Sequence, residues 1–164
     1  MDVQAVFGLS VLMSFIAFGL VACFYIWPAL QHMDRESALV PLIAPHITRF
    51  AGLSFLVPGV VSPELPQAFA VPAASRSPQA AVLAMIALFA LWRRAEWAIA
   101  AVWIFNMWGT ADFLFAYYQG LIGAPFQAGL LGGAFFIPAA IVPALFGLHV
   151  MIFMLLLRRQ GAAR

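Results

Sequence analysis

The sequence predicts an all-α fold: a polytopic transmembrane helix bundle of about five spans, with its N-terminus outside and its C-terminus inside. Three observations carry this expectation. Of 164 residues, 65% are hydrophobic and only 9% are charged, against roughly 25% charged in a typical soluble domain. The mean hydropathy is +1.01. Finally, the apolar residues fall into stretches long enough to cross a bilayer, and the arginines collect on alternate breaks between them. This composition excludes an ordinary water-soluble enzyme domain and a disordered chain. Nucleic acid is excluded as a partner because 8 basic residues oppose 6 acidic ones, too small an excess for a basic patch. The single cysteine, Cys23, leaves no internal disulfide and no CxxC motif. Every basic residue is Arg and alanine is abundant, a pattern associated with bacterial coding.

A hydrocarbon core of ~30 Å takes about 20 apolar residues to cross. The first span, 3–27, carries no charge and stops at Pro28. With only Asp2 before it, there is no basic leader and no cleavage signal, so it reads as a retained span. The second, 38–61, contains Pro41, Pro45 and Pro58. A proline beyond the first turn removes a hydrogen bond and kinks a helix. The stretch is therefore either one kinked helix from near Ala38 or an interfacial helix followed by a span with Pro45 in its first turn. Residues 62–78, with four prolines, read as the longest loop. The third span, 79–92, is short and Ala/Leu-rich, and Arg93, Arg94 and Glu96 turn the chain into the fourth, 97–118. A Gly-rich, uncharged connection then leads to the fifth, 132–157, with Pro138 and Pro143 inside it. Four spans remain open if the second or third is only interfacial. Placing Arg35, Arg93, Arg94, Arg158, Arg159 and Arg164 in the cytoplasm leaves only Arg76 outside, and this sets N-out/C-in by the positive-inside rule.

Ionisable residues within spans are costly and mark function or a structural pair. Here they are His46, Arg49, Asp112 and His149. If the second span starts near Ala38, Arg49 lies ~16 Å deep at helical rise and needs an acidic partner, a cavity or an anionic ligand. If it starts at Pro45, Arg49 can snorkel to the headgroups. Asp112 is the only carboxylate inside a span and the natural partner for Arg49. That pair reads either as architecture, as ligand or proton handling, or as a shallow solvated vestibule. On the fourth span Asn106, Thr110, Phe113 and Tyr117 recur at helical spacing, flanked by Gly109 and Ala116. The stripe is either a helix–helix seam of small and polar residues or the wall of a pocket lined by Asn106, Trp108, Asp112 and Tyr117. Aromatic walls with a few polar groups suit an apolar, ring-bearing ligand.

His46 and His149 fall at similar depths on different spans, ~12–13 Å from the cytoplasmic edge in the long-helix reading. Two such imidazoles are the metal ligands a bis-histidine b-type haem would need, with Arg49 facing a propionate. A lone buried histidine is more often a hydrogen-bonding partner. No phosphate-binding Gly loop, GxSxG elbow or HExxH motif is present, and Gly129, Gly132 and Gly133 read as packing and flexibility.

The stretch Arg49-Phe50-Ala51-Gly52-Leu53-Ser54-Phe55-Leu56-Val57-Pro58-Gly59, followed by Leu65-Pro66 and an Ala/Leu-rich span, resembles small DoxX-like bacterial membrane proteins over spans two to four. The resemblance implies a compact four-helix bundle, in some members linked to quinol oxidation. The fifth span and Pro138/Pro143 depart from that pattern. The sequence thus points first to a bacterial inner-membrane protein whose bundle interior binds a hydrophobic, ring-containing ligand such as a quinone, lipid or pigment. Arg49 and Asp112 supply electrostatics there, and His46, Asn106, Tyr117 and His149 supply hydrogen bonds. The alternatives are a His46/His149 haem protein and an accessory subunit packed in a larger membrane complex or homo-oligomer.

Overall fold

The computed structural model describes residues 2–123 and 125–158. Arg159 and Arg164, counted above for orientation, lie outside them. Among the described residues there are five helices long and apolar enough to cross a membrane: α1 (Val3–Leu30), α2 (Arg35–Leu56), α3 (Gln67–Trp92), α4 (Ala98–Gly123) and α5 (Ile137–Leu157). A 3₁₀ segment, Ala128–Phe135, joins α4 to α5. No strand forms among these residues, and the fold is the all-α bundle that the composition predicts.

The boundaries differ from the sequence expectation wherever proline was taken as a stop. Helix α1 passes through Pro28 by widening into a π turn at Ala22–Ile26. A proline ring collides with the carbonyl four residues back, and a wider turn relieves that collision. The same device opens α5, where a π turn at Ile137–Ile141 precedes Pro143. The expected loop 62–78 is largely helix, because α3 begins at Gln67 and runs through Pro72 and Pro78. Pro72 cannot donate to the Ala68 carbonyl, and Gln119 Nε2 supplies that bond from α4 at 3.1 Å.

Helix α2 is one continuous path, which resolves the two readings of its start. Asp34 caps it by accepting from the Ser37 backbone N–H at 2.9 Å, and this bond holds the Asp34 carboxyl below its ordinary range. Residues Arg35–Ile43 are α-helical, and at Ala44 the chain tightens into a 3₁₀ helix that runs to Leu56, short of the predicted Val61. A 3₁₀ run of 13 residues is unusual, since most stop at about 3–4. Its consequence is positional. With ~3.0 residues per turn, every third side chain eclipses the last, and the buried residues are His46, Arg49, Gly52 and Phe55. In an α-helix, at ~100° per residue, Phe55 would face away from His46. The tighter winding also rises ~2.0 Å per residue, which makes α2 longer than an α-helix of the same 22 residues.

Two apolar clusters occupy opposite ends of the bundle. One gathers Leu30, Leu39, Leu42, Leu91, Ala98, Phe105, Ile152 and Leu156 from all five helices. It brings the turn before α2, the Arg93–Arg94 turn and the end of α5 to one end of the molecule. The other gathers Phe55, Phe69, Ala74, Leu131 and Ala134. It is closed by the 3₁₀ connection, where Gly132 adopts a φ of +49° and the Gly133 N–H donates to the Val60 carbonyl at 2.8 Å. Helix α1 is peripheral. None of Val3–Val21 is buried, and it leans on the rest through Phe7 on Phe135 and Phe15 on Phe146. The outer faces of the bundle carry Leu12, Ile16, Leu20, Ile104, Met107 and Leu114, all exposed. Such an apolar exterior far exceeds what a soluble monomer exposes and is compatible with a multi-pass membrane protein.

Candidate functional site

Between the two apolar clusters lies a layer of polar side chains from three helices. His46 and Arg49 come from the 3₁₀ part of α2, Asn106 and Asp112 from α4, and His149 from α5, and all five are buried. Arg49 is the centre. Its Nη2 donates to Asp112 Oδ2 at 2.6 Å, and the two side chains are 1% and 4% exposed. Its Nη1 lies 3.1 Å from His149 Nε2 and donates to the Gly109 carbonyl at 3.3 Å. The guanidinium sits over the Phe113 ring at 3.7 Å, a cation–π contact strengthened by exclusion of water. The expected Arg49–Asp112 pair is therefore formed.

The donor inventory fixes the state of His149. Arginine offers only donors, so Nε2 must accept, and the ring proton resides on Nδ1. From there it donates to Asn106 Oδ1 at 2.6 Å. Asn106 in turn donates from Nδ2 to the His149 carbonyl at 3.2 Å. Each group thus determines its neighbour, and α2, α4 and α5 are tied together in one register. Thr110 takes no part across helices, since its hydroxyl donates to the Asn106 carbonyl on its own helix.

Gly109 makes the arrangement sterically feasible. A Cβ built there would stand 2.5 Å from His149 Cε1 and 2.8 Å from Arg49 Nη1. Gly52 does the same on α2, where a Cβ would meet Ser77 Cβ of α3 at 2.9 Å. That approach lets the Ser77 hydroxyl reach Asp112 Oδ2 at 3.4 Å.

His46 differs from His149. Its ring lies against His149 at 4.2 Å between centroids, tilted by 46°, and 5.1 Å edge-on to Phe105, and neither nitrogen has a hydrogen-bond partner among the described residues. The two imidazoles do share one depth, as expected, but they do not fit a bis-histidine haem. Their centroids are 4.2 Å apart, with no room for a macrocycle between them, and both nitrogens of His149 are already bonded. The two histidines should respond oppositely to replacement. Exchanging an unsatisfied buried group for an apolar one of similar shape is near neutral or stabilising, so His46→Leu is expected to change stability by less than about 1 kcal/mol. His149→Leu strands Arg49 Nη1 and Asn106 Oδ1, and is expected to cost about 2–4 kcal/mol. Thermal melts of the two variants in mild detergent measure the contrast, and equal losses would refute the assignment.

On the far side of Asp112 a narrow cleft opens between the helices. Its cavity volume is about 80 Å³, and the cleft is partly open to the surroundings. Its walls are Phe7, Phe55, Phe69, Phe113 and Phe126, and its polar lining includes Ser77 and Asp112, with Ala116 and Tyr117 further along α4. The Tyr117 hydroxyl is buried without a partner among the described residues. Of the predicted site residues, the structure brings together His46, Arg49, Asn106, Asp112 and His149, and it puts Tyr117 in the cleft wall. Trp108 is a correction. It is 41% exposed on the outer surface, beside Pro78, Gln79, Val82 and Leu83 of α3; it faces away from Asn106 and, although one turn before Asp112 on α4, it does not line the cleft.

Sequence reasoning missed Ser77, hidden in the expected loop, and the phenylalanine walls, which converge from four helices and a connection. The signal within reach was the three-residue spacing of His46, Arg49, Gly52 and Phe55.

No curated protein and no solved structure matches the chain, so no DoxX-like similarity appears in these comparisons. A family model does match, over residues 6–157, which takes in all five helices and every residue of the polar layer. The chain belongs to the family described as Domain of unknown function (DUF8737).

Proposed function

We propose that this chain is a multi-pass inner-membrane protein, N-out/C-in, whose bundle holds a hydrophobic, ring-containing ligand in the cleft beside Asp112. The observation that carries this reading is the cleft itself: five phenylalanines around a lining with few polar groups, one of them the Asp112 carboxylate. Apolar concavities with a small number of fixed polar groups are the usual form of a small-molecule site. The polar layer behind it supports the reading in a second way. Because Arg49 is held by His149, Gly109 and Phe113, Asp112 is presented to the cleft by a pre-organised frame, which lowers the cost of binding. The narrow shape suits a single ring, with an apolar tail leaving along the open side into lipid.

Orientation rests on the arginines. Arg35, Arg93, Arg94 and Arg158 flank the cluster at one end of the bundle, and that end is assigned to the cytoplasm by the positive-inside rule. Arg76 lies nearer the other end, over the Phe115 ring.

The experiment is a comparison of wild type with Ala116→Phe, which fills the cleft from its α4 wall without touching the polar layer. Protein purified in mild detergent is extracted with organic solvent, and the extract is analysed by mass spectrometry. Wild type is expected to carry a ring-bearing lipid in near-stoichiometric amount. The variant should stay folded and monodisperse and carry at least about tenfold less, as a blocked pocket loses its burial energy, and its melting temperature should fall by no more than the lost ligand accounts for. Equal amounts on both proteins would defeat the cleft as the site.

A further inference from the structure

The lining of the cleft also restricts the polar end of the ligand. Asp112 Oδ2 is engaged twice, by Arg49 Nη2 at 2.6 Å and by the Ser77 hydroxyl at 3.4 Å. No donor among the described residues reaches Oδ1, although Asp112 lines the cleft. A carboxylate in this geometry is an acceptor only. What it lacks is one donor, arriving from the cleft.

The donor is uncharged. Arg49 already balances Asp112 at ion-pair distance, and Arg76, next to Ser77 in the chain, adds a second guanidinium held over Phe115 at 4.0 Å. A cationic ligand would enter a region with two positive side chains and one negative, in a medium where charges are poorly screened. An anionic ligand would meet the Asp112 carboxylate directly. Two further polar groups line the cleft: Gln4, whose Oε1 already accepts from the Ala128 N–H at 2.9 Å, and the Tyr117 hydroxyl, without a partner among the described residues; Asp112 is the one charged acceptor in that lining.

We infer that the cleft takes a neutral ring compound bearing a free hydroxyl, which donates to Asp112 Oδ1 while its ring lies among the phenylalanines. This rests on the reading of the cleft as a ring-ligand site and narrows it: hydroquinones, phenols and ring alcohols are accepted, and their carbonyl or O-alkylated counterparts are disfavoured. The carbonyl form would turn an acceptor toward an acceptor. The alkylated form has no proton to give.

The test uses the wild-type chain in mild detergent, which avoids any variant of Asp112 that fails to fold. A short-chain alkylhydroquinone, its dimethyl ether and the corresponding benzoquinone are titrated anaerobically by calorimetry. The hydroquinone is expected to bind about tenfold or more tightly than either of the others, the scale of one hydrogen bond to a charged acceptor. Ala116→Phe should abolish that preference. Equal affinity for the three compounds would overturn the donor inference and leave the apolar cleft standing. A preference that survives in Ala116→Phe would overturn it too, since it would arise elsewhere. No binding by any of the three would defeat the ligand site and this inference together. An alkylammonium of the same ring size that binds as tightly as the hydroquinone would refute the requirement for a neutral ligand. A sterol that displaces the hydroquinone would support the hydroxyl and identify an alicyclic membrane lipid as its source. Failure of the sterol to compete would leave the aromatic alcohol as the class.

Discussion

Gly109→Ala is expected to be among the most destabilising single-methyl changes in this protein, at roughly 3 kcal/mol. Two costs combine. The added Cβ occupies space held by His149 Cε1, His149 Nε2 and Arg49 Nη1, and neither side chain retreats freely, because His149 is tethered through Nδ1 to Asn106 and Arg49 through Nη2 to Asp112. Overpacking of a filled interior costs about 1–3 kcal/mol. Displacing the guanidinium also leaves buried donors and acceptors unpaired, each worth about 1–3 kcal/mol. The internal control is Gly8→Ala or Gly19→Ala on α1, where an added Cβ meets nothing within 4 Å. Those changes are expected to be neutral or to stabilise slightly, since alanine favours helix over glycine by up to about 1 kcal/mol. Melting temperatures and monodispersity in detergent measure all three. A Gly109→Ala protein as stable as the α1 controls would mean that Arg49 and His149 do not meet beside α4.

The second large effect belongs to the Arg49–Asp112 pair, and its signature is non-additivity. Removing one partner of a buried pair leaves an uncompensated charge and costs about 3–5 kcal/mol, whereas replacing both by apolar residues is often close to neutral. Arg49→Met and Asp112→Leu are each expected to lose that much. The double variant should be more stable than either single one, within about 2 kcal/mol of wild type. Strict additivity in the cycle would remove the ion pair as the organising contact of the layer. The double variant has a further use. It keeps a packed cleft without its acceptor, so retention of ring compounds by it would assign their affinity to the phenylalanine walls.

The polar layer was legible in the sequence to an unusual degree because the bilayer makes polar residues conspicuous. Against a background of 9% charge, His46, Arg49, Asp112 and His149 could each be singled out by type alone, and the shortage of partners made the Arg49–Asp112 pairing the natural one. Asn106 followed from its place on a stripe with Thr110, Phe113 and Tyr117. Direction was harder to read. Trp108 was drawn into the pocket because an indole within a span needs a partner, yet its position on α4 turns it outward. Ser77 was lost to a rule about proline that holds for an isolated helix. In the bundle, Gln119 restores a bond that Pro72 removes, and α3 extends past the place where the local signal ends it. The pairing of His46 with His149 was foreseen in depth but not in kind: the rings are in direct, tilted contact instead of opening toward a metal.

What the sequence determined by itself follows from solvent transfer: the class of fold, the number of spanning helices and the identity of the few residues too polar to face lipid. These depend on composition along the chain and need no knowledge of what packs where. The tertiary structure decided the winding of α2, the passage of helices through proline, and the joining of five aromatic walls into one cleft. Each is a property of neighbours. A 3₁₀ run of 13 residues has no local preference to recommend it. Here that winding turns His46, Arg49, Gly52 and Phe55 into the bundle interior together, each against its own neighbours.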